Sequence, residues 1–264
     1  MAEKKEKELI VPIITPLYNR KIDLEGLKKL IDHLIINKVD GVFLMGTTGE
    51  FFHHTLINKI KVLEYILKFA SNRMKIWVGV SSKEYGECEM FIDYCNKHKV
   101  DAVVITPLYG DSKGYKKFDC LVDKSINPVI IYHNPSIQEG EYLDFGFIEK
   151  WSKHEKVIGF KDSSADEDYF SLLMKYSKDD FKIYQGKEKF IHPDLIKGVH
   201  GLVIANGNIY PKLLKFYTYQ PVEEVFFEIL KKRKSLTHLA KSNIQKIKKK
   251  LVEMGIIRSD ELAE

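Results

Sequence analysis

The sequence predicts an α/β fold, a (β/α)8 (TIM) barrel with a short C-terminal helical extension. Three observations predict it. Eight short apolar runs recur along the first 210 residues, and longer stretches of helical period lie between them. The first run leads into Thr15-Pro16. An open doubly wound sheet would instead place a Gly-rich phosphate turn there.

The strand candidates are Leu9–Pro16, Gly41–Gly46, Lys75–Val80, Ala102–Pro107, Pro128–Tyr132, Val157–Asp162, Lys182–Gly186 and Gly201–Ala205. Each is nearly continuous in Val, Ile and Leu and is bounded by Gly, Pro, Asn or Asp, as strands buried on both faces are. The helix candidates are Asp23–Asn37, Leu56–Ser71, Lys83–Lys97, Phe145–Lys153, Asp166–Tyr176 and Lys187–Lys197. Within the second, Ile57, Ile60, Leu63, Leu67 and Ala70 recur at helical spacing behind a Thr55 N-cap. After Tyr210 the pattern is helical only, over Val222–Lys232 and Leu236–Leu251, where Leu236, Leu239, Ile244, Ile247 and Leu251 are spaced along one face. The expected organisation is a barrel over residues 1–210 with helices over 211–264 packed on it as one unit.

Composition narrows the class. The chain has 264 residues, 44% of them hydrophobic, enough for a substantial core. No apolar stretch approaches the roughly 18 residues of a membrane span. Met1 to Glu8 alternates Lys and Glu without an apolar segment, so no secretory signal is expected and the location is expected to be cytoplasmic. Cys88, Cys95 and Cys120 are odd in number and lack CxxC spacing, which argues for reduced thiols and against a disulfide or zinc framework. Net charge is +5, yet only Arg20, Arg73, Arg233 and Arg258 are arginine. Bidentate recognition of phosphate or carboxylate favours Arg, so this chain is poorly supplied for it.

The chemistry-bearing residues stand at the carboxyl ends of the strands. Lys161 ends the apolar run Val157-Ile158-Gly159-Phe160 and precedes Asp162-Ser163-Ser164. An amine among apolar neighbours loses its ammonium form and becomes nucleophilic, as imine-forming enzymes require. The segment alone is equally compatible with a lysine snorkelling from a strand end. Gly46-Thr47-Thr48-Gly49-Glu50 follows the second strand. Its glycines and hydroxyls suit an anion-binding nest, or an ordinary turn before a helix. Thr106-Pro107-Leu108-Tyr109 ends the fourth strand, and Tyr132-His133-Asn134-Pro135 the fifth. A Tyr one strand from an imine-forming lysine is a candidate acid or base, although any single Tyr of the 14 present reads equally as a rim residue.

Taken together, Gly46-Thr47-Thr48-Gly49-Glu50, Tyr132-x-x-Pro135 and Gly159-x-Lys161-Asp162 resemble the motifs of the pyruvate-dependent class I aldolase superfamily. That superfamily includes N-acetylneuraminate lyase, dihydrodipicolinate synthase and archaeal 2-keto-3-deoxygluconate aldolase. The resemblance runs over roughly residues 9–210. It implies that Lys161 forms an imine with the keto carbon of pyruvate or a 2-keto acid, and that Thr47 and Thr48 hold its carboxylate. Tyr132 would move the proton of the hydroxyl made or cleaved, with Thr47 and Tyr109 as relay partners. It further implies that Tyr109 is supplied across a subunit contact in a homo-oligomer, expected to be a tetramer. The protonated imine is the electron sink, so no metal and no organic cofactor are expected.

Departures from the family pattern narrow the substrate. Dihydrodipicolinate synthases place an Arg after the Tyr motif, whereas this chain reads Ser136-Ile137-Gln138-Glu139-Gly140. Neuraminate lyases usually start the hydroxyl pair with Ser, where Thr47 stands here. The sequence is most similar to 2-keto-3-deoxygluconate aldolases, through Thr47-Thr48 and through Val203-Ile204-Ala205-Asn206-Gly207-Asn208. Lys161, Tyr132, Thr47, Thr48, Ser163, Gly186, Glu188 and Ala205 are therefore the expected substrate-binding residues. Glu188, in Gly186-Lys187-Glu188, would meet sugar hydroxyls with a longer reach than the family's Asp. Gly110-Asp111 places an acid where a phosphate would sit, so the non-phosphorylated sugar acid is the expected substrate, although Arg20 stands within reach of the site. His133 is expected to pack outward, and His53-His54 to divide between surface and core.

A binding role is the rival reading. Lys231–Lys250 holds nine Lys/Arg and no acid. It is either a nucleic-acid or anionic-surface patch, or the solvated face of amphipathic helices. The Leu and Ile spacing supports the second, and no aromatic platform for single strands is interleaved. Neither nucleic acid nor membrane is therefore an expected partner.

Overall fold

The computed structural model describes residues 7–107, 115–191, 198–219 and 244–263. The strands are β1 (Glu8–Pro12), β2 (Leu17–Tyr18), β3 (Lys21–Ile22), β4 (Gly41–Leu44), β5 (Lys75–Gly79), β6 (Ala102–Ile105), β7 (Val129–His133), β8 (Val157–Asp162), β9 (Lys182–Gln185) and β10 (Gly201–Val203). Eight of them pair in parallel and close into a barrel in the order β1-β10-β9-β8-β7-β6-β5-β4. All eight sequence-predicted strands are present, and β2–β3 is an added antiparallel hairpin. The barrel fills its own interior with Ile10, Phe43, Trp77, Ala102, Val104, Ile130, Tyr132, Tyr184 and Val203. The outward residues of the same strands join the helices in a second, larger core. That two-sided burial is why the strands read as continuous apolar runs.

Helices α1 (Leu24–Ile36), α2 (Leu56–Ala70), α3 (Tyr85–Asn96), α4 (Tyr115–Lys124), α5 (Phe145–Ser152) and α6 (Glu167–Leu173) follow the strands, with further helices over Pro211–Tyr219 and Ile244–Glu253. Thr55 caps α2 as expected, its hydroxyl accepting the Asn58 N–H. α4 has no counterpart among the predicted helices. Its apolar face is only Phe118, Leu121 and Val122, set among lysines and aspartates.

The buried face of α2 also differs from the expected stripe. It is Lys59, Val62, Leu63, Ile66 and Ala70, and Ile57 is 78% exposed. Lys59 takes a core position because its ammonium reaches the Ser81 carbonyl at 3.4 Å and Glu87 at 3.8 Å. The expected Lys187–Lys197 helix begins as a 3-10 turn, Glu188–Phe190, and residues 192–197 lie outside the described residues. So do the expected helix over 222–232 and the 236–243 part of its successor. Among the described residues no helix is long and apolar enough to cross a membrane.

The chain's C-terminal segment returns to the barrel. Arg258 donates to the buried Asp23 carboxylate at 2.6 and 3.1 Å, and the same carboxylate caps α1 through the Gly26 N–H at 3.0 Å. Burial would raise the Asp23 pKa, but Arg258 and the backbone donors outweigh it and hold it below its usual value. Its stabilisation is therefore present above the unfolded carboxylate range and is lost as pH falls through the lowered folded value. Asp23→Ala, which removes both cap and ion pair, is expected to cost about 2–4 kcal/mol in denaturant unfolding at neutral pH. The difference from wild type should shrink in acid.

Candidate active site

A register shift on β7–β8 positions the central pair. Val129 pairs with Val157, but the next pairing is Ile130 with Gly159, so one extra β8 residue, Ile158, intervenes. Continued unbroken, that register would set Tyr132 beside the outward-facing Phe160. The bulge instead makes Tyr132 and Lys161 register partners, both on the inner side. The Lys161 ammonium lies 3.4 Å from the centroid of the Tyr132 ring and 5.5 Å from that of Phe43.

Four lysines are buried among the described residues: Lys59, Lys161, Lys215 and Lys248. Lys59 pairs with Glu87, Lys215 with Asp40 and Lys248 with Glu50. Lys161 faces a phenol in place of a carboxylate. Burial pushes its pKa down, the Lys187 charge adds to that, and the Tyr132 and Asp162 charges oppose it. For Tyr132, burial acts upward but is outweighed by the Lys161 charge and by hydrogen bonds with Thr47 and Asn134, and the net direction is down. The amine and phenol titrate as a coupled pair. A neutral amine beside an ionisable phenol can attack a carbonyl and move the proton that follows.

Around this pair is a cavity of about 300 Å³. Of the sequence-predicted residues, Thr47, Thr48, Tyr132, Lys161, Ser163, Gly186, Glu188 and Ala205 all line it. Tyr109 and Asp111 lie outside the described residues. Thr47 Oγ1 is 3.2 Å from the Tyr132 hydroxyl, which also accepts from Asn134 Nδ2 at 3.0 Å. The Thr47–Glu50 turn is bracketed by left-handed residues, Met45 (φ 51°) and Glu50 (φ 56°). Its internal bonds run from the N–H groups of Gly49 and Glu50 to the carbonyls of Gly46 and Thr47. Among the described residues the N–H groups of Thr47 and Thr48 donate to nothing, which leaves two donors for an anion.

Gly186 is fixed by space. A Cβ there would lie 2.2 Å from Ser163 Oγ and 3.2 Å from Lys161 Cε. Glu188 is held by Asn206, whose backbone and side-chain nitrogens donate to it at 3.4 and 3.3 Å, and burial raises its pKa.

The cavity also includes Pro12, Asn134, Ser136, Lys187, Val203, Ile244 and Ile247, which were not among the expected site residues. Lys187 was visible inside the Gly186-Lys187-Glu188 motif. Ile244 and Ile247 were visible only as part of a helical stripe, and nothing in their spacing pointed to the cavity. Arg20 does not line it. Arg20 sits exposed in the β2–β3 turn, where its N–H donates to Glu261 at 3.0 Å. The basic 231–250 stretch is also not wholly solvated, because Lys248 is fully buried.

His133 and Asp162, the next register pair, point outward into the second core. His133 faces Gln138 at 3.1 Å, and burial pushes its pKa down to about 4. His53 is exposed and His54 buried, as expected. Asp162 accepts from the Ser164 hydroxyl at 2.8 Å and backbone N–H at 3.2 Å, yet burial dominates and pushes its pKa up to about 7.

Fold and cavity together define a (β/α)8 barrel whose candidate site lies at the carboxyl ends of the strands. The chain belongs to the Dihydrodipicolinate synthetase family, whose profile matches residues 5–262, and is a pyruvate-dependent lyase of that family. It is 32% identical over 208 residues to a 4-hydroxy-tetrahydrodipicolinate synthase of Methanococcus maripaludis, covering 76% of this chain and 70% of that one. A protein of the same name from Methanothermobacter thermautotrophicus is 27% identical over 263 residues, covering 94% and 93%. The dihydrodipicolinate synthase structure from Bacteroides thetaiotaomicron superposes with a TM-score of 0.86 at 25% identity, covering 99% and 93%. The 2-keto 3-deoxygluconate aldolase from Picrophilus torridus, at 24% identity and TM-score 0.85 over 95% and 94%, shares the fold.

Because the folded pKa of Asp162 is raised, the folded state holds an extra proton between about pH 4 and about pH 7. Its contribution is full below that window and is lost as pH rises through it. Asp162→Asn should therefore gain stability relative to wild type between about pH 5 and about pH 8, read by denaturant titration at the two values.

Proposed function

We propose that the protein is a Schiff-base aldolase that reversibly cleaves 2-keto-3-deoxygluconate to pyruvate and glyceraldehyde, with the non-phosphorylated sugar acid preferred. The observation that carries the imine step is the carboxylate-free burial of Lys161 against Tyr132. In this reading the Lys161 amine attacks C2 and water leaves as the imine forms. Tyr132 takes the proton of the C4 hydroxyl, the C3–C4 bond breaks, and its electron pair moves into the iminium to give an enamine. Glyceraldehyde departs, and protonation and hydrolysis of the enamine release pyruvate. Thr47 and Thr48 would hold the carboxylate throughout.

Two features support a polyhydroxylated partner. The described cavity wall contains no arginine, and it presents Ser136, Ser163, Asn134 and Glu188 to the remaining space. Tyr109 is assigned to the relay from a neighbouring subunit of a homotetramer.

Lys187 favours a second reading. It is half-buried in the cavity, and among the described residues its ammonium makes no hydrogen bond or ion pair. It follows β9, three strands round the barrel from β4, which leads into Thr47-Thr48. A cation there suits an acidic aldehyde, such as the aspartate semialdehyde of a dihydrodipicolinate-type condensation.

Borohydride reduction with pyruvate, followed by intact-mass measurement, should show one adduct that is absent in Lys161→Ala. An adduct persisting in that variant would end the imine assignment. Tyr132→Phe should still trap pyruvate while losing about 10²–10⁴-fold in turnover.

A two-aldehyde comparison separates the substrates. Glyceraldehyde is expected to be the better partner of pyruvate, with the ratio to aspartate semialdehyde moving less than about threefold in Lys187→Met. Preference for aspartate semialdehyde, lost about tenfold or more in that variant, would establish the second reading instead.

A further inference from the structure

The roof of the cavity comes from the far end of the sequence, and a buried ion pair connects it to the floor. Ile244 and Ile247 of the C-terminal helix (Ile244–Glu253) line the cavity, and the next residue, Lys248, is fully buried. The Lys248 ammonium donates to the Glu50 carboxylate and to the Glu261 carbonyl, the latter at 2.7 Å. Glu50 is the left-handed residue that closes the Thr47–Glu50 turn, and its other carboxylate oxygen accepts the Ala263 N–H at 3.0 Å. Neither Glu50 nor Lys248 is part of the cavity wall.

We propose that the Glu50–Lys248 pair is a latch seating the C-terminal helix over the bound keto acid, which makes both residues positioning residues for pyruvate binding. The proposal rests on the imine assignment to Lys161. Two isoleucines give the helix adhesion but no register, because apolar contact is non-directional. The ion pair supplies direction, and it ends on the residue that fixes the donor-bearing turn. Roof and carboxylate site are therefore set by one interaction. Removing either partner strands a buried charge on the other, which must then draw in water or shift the helix. The Arg258–Asp23 pair and the Arg20–Glu261 contact hold the following segment independently, so the latch can fail while the tail stays docked.

The test measures borohydride trapping and steady-state condensation against pyruvate concentration in full-length Lys248→Met, Glu50→Gln, the double variant and Ile247→Ala. Each single latch variant is expected to raise the half-saturating pyruvate concentration about tenfold, with kcat within about threefold of wild type. The double variant, which strands no charge, should recover part of the loss. Ile247→Ala, which keeps the ion pair but truncates a buried side chain, should lower the melting temperature and weaken pyruvate binding several-fold.

Pyruvate half-saturation within twofold of wild type in folded Lys248→Met and Glu50→Gln would overturn the latch. If those variants do not fold, the same result in both Ile247→Ala and the double variant would do so. No adduct in wild type would instead defeat the imine assignment, and the latch's role in pyruvate binding with it.

Discussion

The structure depends on keeping one ammonium group out of water without giving it a carboxylate. Isolated burial of a charge is costly, and a lysine so placed lowers its pKa in preference to staying charged. The other buried lysines avoid that outcome through Glu87, Asp40 and Glu50. At Lys161 the nearest polar partner is the Tyr132 phenol, whose own ionisation competes for the same proton. The closed barrel makes this possible, because side chains from neighbouring strands meet at its mouth with no sheet edge to admit solvent.

The barrel was legible because its physics is written into the sequence. Strands covered on both faces must be largely apolar, and each of the eight runs nearly is. The carboxyl-end residues were legible only in conjunction: the lysine could have been a snorkelling strand end and the Thr-Thr pair an ordinary turn, but together at strand ends with Tyr132 they pointed to one site. Less could be read from α2, where periodicity allowed more than one face. The structure selected the face containing Lys59, because Ser81 and Glu87 lay within reach of its ammonium.

Two features of the site could not have been read from spacing. The bulge at Ile158 leaves no mark beyond an ordinary apolar residue, yet without it the Tyr–Lys pair would not share a register position. The roof residues Ile244 and Ile247 lie nearly 200 positions beyond the Thr47 turn and carry only a generic amphipathic signal. Non-local packing decides both. The scarcity of arginine, by contrast, was visible from composition, and lysines take three of the buried ion-pair positions here.

The tight packing around Gly186 limits how this enzyme can diverge. A side chain at that position would collide with Ser163 and press on the shaft of Lys161, so drift there would displace the lysine proposed to form the imine. Lys187, Glu188, Ile244 and Ile247 line the same cavity without that steric limit, although the Lys187 charge also bears on the Lys161 pKa. New substrate ranges would therefore arise by changing the far wall and the ceiling while the glycine stays fixed.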